Sequence, residues 1–145
     1  MATVELRFSA LPEHVRTARL VAAAVARRAG VDEAVLDEVR LAVGEACSRA
    51  VGLHANGGLG TPVRVALIED EKRFSIEVGD DAPTASGSEG SGGASGGPVA
   101  ESDEEGDMGL AVISGLVDDV EVTSDEKGGL IRMSWPTAPE PATLP

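Results

Sequence analysis

Aromatic side chains are scarce: no Tyr, one Trp and two Phe in 145 residues. A core must therefore be built from Val, Leu, Ile and Ala. Cysteine occurs once, at Cys47, which excludes an internal disulfide and fits a reducing cytoplasm. Its thiol is expected to pack as a small apolar group. The two histidines, His14 and His54, lie well apart in sequence, so a zinc site has nothing to build on. The longest apolar run, Leu20 to Ala26, is far too short to span a bilayer. No charged n-region with an apolar h-region opens the sequence, so no secretory signal is expected. Basic residues are few as well: 12 Lys and Arg stand against 25 Asp and Glu, for a net charge of −13. Binding phosphate backbones or anionic membranes requires clustered cations, so neither nucleic acid nor a membrane surface is expected as a partner.

The length suits one domain with a single two-layer core. Val4 to Ser9 alternates apolar and polar and reads as a strand. Pro12 suits the first turn of a helix whose stripe is Val15, Ala18, Ala22, Val25 and Ala29, with Gly30 placed to end it. Asp32 is an N-cap for the next helix. After the turn-rich ANGGLGTP, Val63 to Ile68 and Phe74 to Val78 form an antiparallel hairpin across EDEKR. From about residue 82 to 106 the chain is Gly, Ser and acid without Lys or Arg, and only Val99 is a sizeable aliphatic. Such a segment cannot offset its ordering entropy and is expected to be disordered. A short helix from Met108, apolar over most of its surface, suits a buried position. A second hairpin joins Asp118–Thr123 to Leu130–Trp135, and the Pro- and Ala-rich 136–145 is a loose tail. The order predicts an α+β two-layer sandwich: one domain over residues 1–135, its helices on one face of a mostly antiparallel mixed sheet.

The helix from Leu36 to His54 organises the rest. Leu36, Val39, Val43, Ala46, Ala50 and Leu53 make its apolar stripe. At the edge of that stripe stands Glu45, flanked by the small residues Gly44 and Ala46. A carboxylate so placed suits a general base facing a ligand cavity, and equally a solvated flank residue.

Several blocks in matching order carry a resemblance to a known family: FSAL at Phe8–Leu11, the Ala18–Arg19 pair, EACSRA at Glu45–Ala50 and MGLAVISGLVDDVEV at Met108–Val122. The chain resembles bacterial anti-sigma factors of the serine-kinase type, which carry a histidine-kinase-like ATPase (GHKL) domain. The resemblance spans roughly Val4 to Trp135, the insert excluded. It implies a two-layer fold and a cytoplasmic protein that binds a sigma factor and a STAS-type anti-anti-sigma protein. It also implies a homodimer, since the family pairs through its sheets. Arg19 aligns with a family arginine that contacts both partners, and Arg16, one turn earlier, shares its face. Without the resemblance both would read as exposed helix charges.

The nucleotide residues transfer unevenly. Glu45 matches the family's general base, but the Asn that holds magnesium is Arg49, which has no acceptor atom and a permanent positive charge. Asp80 matches the acid that reads adenine, while Ala82 and Thr84 stand where the family has glycines. This leaves Asp80 a second reading as a surface acid. In the phosphate-binding turn Gly109 remains, but Asp107 replaces the first glycine and repels phosphate. Leu130 replaces a site threonine. The implied outcome is a regulator that keeps the fold and has lost the kinase, with Glu45 a vestigial base and no metal or cofactor expected. The alternative is an active serine kinase of an anti-anti-sigma protein, using ATP and magnesium through Glu45, Asp80 and Gly109.

Overall fold

A computed structural model describes residues 2–83, 111–117 and 119–137. Residues 84–110, which include the acidic segment and Gly109, and residues from 138 onward lie outside them. Strand β1 (Ala2–Phe8) leads to α1 (Pro12–Ala29), a single 3₁₀ turn (Glu33–Val35) and α2 (Leu36–Gly57). Strands β2 (Val63–Glu69) and β3 (Arg73–Asp80) follow, and β4 (Asp119–Asp125) and β5 (Gly128–Pro136) close the sheet.

Local chemistry sets the helix ends. Pro12 occupies the first turn of α1, where its missing N–H costs nothing. Gly30 ends the helix in the left-handed region at φ 103° and bonds back to Arg27 O and Ala26 O. Asp32 caps the 3₁₀ turn that feeds α2, rather than α2 itself, by accepting from Ala34 N at 3.0 Å. The helix α2 runs three residues past His54 and stops at Gly58, φ 66°.

The sheet order is β1-β2-β3-β5-β4. Every pairing between the described strands is antiparallel, so the parallel pairing that a mixed sheet admits does not occur among them. Strand alternation places Val63, Val65, Leu67, Phe74, Ile76, Val78, Ile131, Met133 and Trp135 under the helices, all buried. The two helices pack on each other, and α2 lies over β3. Trp135 stacks on Phe74 and donates its indole N–H to Glu38 at 3.1 Å, tying the first turn of α2 to β5. At the same end of the sheet, where Glu69 is the register partner of Phe74, Arg28 binds Glu69 through Nε at 3.1 Å and Nη2 at 2.7 Å.

The opposite face of the sheet is polar. Across it run the pairs Arg64–Asp81 at 3.0 Å and Arg73–Asp119 at 2.7 Å, and the Ser75 and Ser134 hydroxyls bond at 2.9 Å. One layer of helix therefore suffices, as a two-layer sandwich requires. The expectation of a buried third helix needs correction. Residues 111–116 are helical, but only Ile113 and Val117 of 111–117 are buried, and Val112 is 43% exposed. An apolar stretch at the rim of a small domain presents one face inward and leaves the other in water. Among the described residues, no helix is long and apolar enough to cross a membrane.

Candidate functional site

Asp80 ends β3 and shares the core-facing parity of Phe74, Ile76 and Val78. It is 4% exposed, so it is not the surface acid that the loss of neighbouring glycines suggested. Its register partner is Gly129 at the start of β5. The Oδ1 atom accepts the Gly129 N–H at 3.2 Å and the Ala82 N–H at 2.9 Å. One carboxylate oxygen thus fixes both the β5 entry and the chain leaving β3. The β4–β5 turn comes so close that a Cβ on Gly128, φ 144°, would lie 2.0 Å from the Asp80 carbonyl oxygen. Only glycine fits there.

His54 is the residue that sequence reasoning missed. It is fully buried, whereas Leu53, assigned to the stripe, is partly exposed. Continuing from Ala46 and Ala50 by four residues reaches 54, so helical spacing carried the signal. The Nδ1 atom lies 2.9 Å from Thr61 O, and Nε2 lies 2.9 Å from the Asp81 backbone nitrogen. An amide N–H can only donate, so Nε2 accepts and the proton sits on Nδ1, directed at the Thr61 carbonyl. The ring joins the α2–β2 loop to the end of β3.

Around this strand end, Arg64, Thr123, Lys127, Gly129, Leu130 and Asp80 border an open cleft of about 260 Å³. Arg64 lies over Gly79, where a Cβ would come within 3.1 Å of its Nη2, and is held by Asp81.

The profile of the family described as histidine kinase-like ATPase domain matches residues 8–135. The chain belongs to this family. A comparison with curated proteins returns no match.

The resemblance assigns Glu45 and the position of Arg49, both on α2, to nucleotide and metal. Here Glu45 is partly buried, and among the described residues it forms no ion pair or hydrogen bond. Arg49 follows one turn later, yet the two do not pair, and the buried Nε of Arg49 has no hydrogen-bond partner. A magnesium ion at this position would meet a guanidinium instead of an oxygen ligand, so the residues present do not fit the metal. No group of three or more His, Cys, Asp or Glu among the described residues could hold a metal ion. Cys47, between the two, is packed inside as expected, and burial pushes its thiol up to about 12.

Arg16 and Arg19 are exposed on α1 and form no ion pair among the described residues. Leu20, beside Arg19, is 59% exposed. Gly109 lies outside the described residues.

Proposed function

We propose that this histidine kinase-like ATPase domain is an anti-sigma regulatory protein. It binds and sequesters a sigma factor in the cytoplasm, releases it to a STAS-type anti-anti-sigma protein, and performs no phosphoryl transfer. The observation that carries this reading is a contrast within the α1–α2 hairpin. Arg16 and Arg19 are exposed and have no carboxylate partner among the described residues, available to a protein surface, whereas Arg49 puts a permanent positive charge where a metal ligand is needed. Without transfer activity the protein cannot reset its antagonist, so a separate kinase must phosphorylate it. Homodimer formation belongs to the same proposal and is read by light scattering.

The second reading, an ATP-dependent serine kinase, draws its support from the buried Asp80 at the adenine-reading position. Pull-down and two-hybrid assays against purified sigma factors and STAS proteins of the same genome test the first reading. A sigma factor retained by the wild type and lost with Arg19→Ala is the expected result. Retention of none of them overturns it.

A further inference from the structure

Gly44 sits buried in the middle of α2, where glycine is less favourable than alanine. Its backbone does not ask for glycine, since the positive-φ glycines among the described residues are Gly30, Gly58 and Gly128. Its neighbour across the hairpin supplies the reason. A Cβ at position 44 would lie 2.8 Å from Arg19 Cδ, 3.5 Å from Cγ and 3.6 Å from Nη1. The stem of Arg19 therefore rests on bare α2 backbone. The small residue beside Glu45 makes room for an arginine of the facing helix.

Arg27, Arg28, Arg40, Arg64, Arg73 and Arg132 each have a carboxylate partner. Arg19 has none among the described residues, so packing on α2, not an ion pair, sets where its guanidinium lies. We infer that Gly44 is a positioning residue: a seat that holds Arg19 in one conformation so that its guanidinium meets a carboxylate of a protein partner. This rests on the reading of Arg19 as a partner contact. The physical gain is preorganisation. A long side chain already ordered gives up less freedom on binding, and its charge is not spent on an internal acid. In a chain of net charge −13, a fixed local cation also offers an acidic partner a defined point of attachment.

The test is Gly44→Ala in the full chain, read three ways. Helix propensity alone keeps or raises the melting temperature. Nitrogen-15 relaxation of the arginine Nε–H groups shows Arg19 more ordered than Arg16 in the wild type and as mobile as Arg16 in the variant. Affinity for the sigma factor retained in the pull-down falls about tenfold, as with Arg19→Ala, and the double variant falls no further. Should the added methyl destabilise the fold, Gly44→Ala is made in the Arg19→Ala background, where the clash is gone and stability must recover. Arg19 as mobile as Arg16 in the wild type, or unchanged by Gly44→Ala, overturns the inference. Failure to retain any sigma factor defeats the functional reading of Arg19, while the relaxation data still decide whether the seat exists.

Discussion

Replacing His54 with Leu removes a fully buried ring that serves two backbone groups at once. Leucine fills most of the volume, so the loss is largely polar. The Thr61 carbonyl loses a donor at 2.9 Å, and the Asp81 amide loses an acceptor at 2.9 Å. Each unsatisfied backbone group costs about 1–3 kcal/mol when it is fully enclosed. Thr61 is exposed and Asp81 partly so, and water can reach both once the ring is gone. The lower half of the range applies to each group, giving about 2–4 kcal/mol for the pair. Against a typical domain stability of about 5–15 kcal/mol this is a large fraction. Urea unfolding measures it as a lower midpoint at unchanged slope. His54→Gln separates the polar from the steric part, because its amide both donates and accepts and recovers some of the loss. Hydrogen exchange adds a local readout: the Asp81 amide exchanges faster in the Leu variant even under conditions where the chain remains folded. A Leu variant within about 0.5 kcal/mol of wild type, the spread of ordinary surface changes, would refute the bridging role.

Gly128→Ala drives a methyl into the Asp80 carbonyl and forces alanine to φ 144°, so thermal melts should show a loss above about 3 kcal/mol. Arg49→Met removes a buried Nε–H with no partner, and denaturant titration should find the variant unchanged or about 1 kcal/mol more stable. The Cys47 thiol, raised from 9.0 to about 12 by burial, stays neutral in the fold while the unfolded chain ionises. Its contribution is intact below pH 9 and is lost as pH rises toward 12, by about 1.4 kcal/mol per pH unit. Cys47→Ala should flatten that alkaline limb of the stability profile.

The architecture was legible because its signals are periodic. Strand alternation at Val63–Ile68 and Phe74–Val78, and helical spacing at Val15–Ala29, require only local rules, and Pro12 and Gly30 mark their ends through backbone geometry alone. What the sequence hid depends on contacts across elements. The stripe of α2 turned to His54 instead of Leu53, since a polar ring there is buried only if Thr61 and Asp81 supply partners, and both come from later in the chain. The second reading of Asp80, as a surface acid, fails for a similar reason: its environment is made by Gly128 and Gly129, some fifty residues downstream. The space beside Gly44 is taken by Arg19 from the opposite helix, a contact between two elements that the spacing within either one does not show. The helix after residue 110 was read as buried from composition, which counts apolar residues but not the neighbours available to cover them.

In the proposed function the α1–α2 hairpin serves a protein partner and performs no nucleotide chemistry. Calorimetric titration of the full chain with ATP or ADP and magnesium tests this most directly. No binding heat at millimolar nucleotide is the predicted result. Micromolar affinity that requires magnesium would contradict it, because a metal would then be held beside the Arg49 guanidinium.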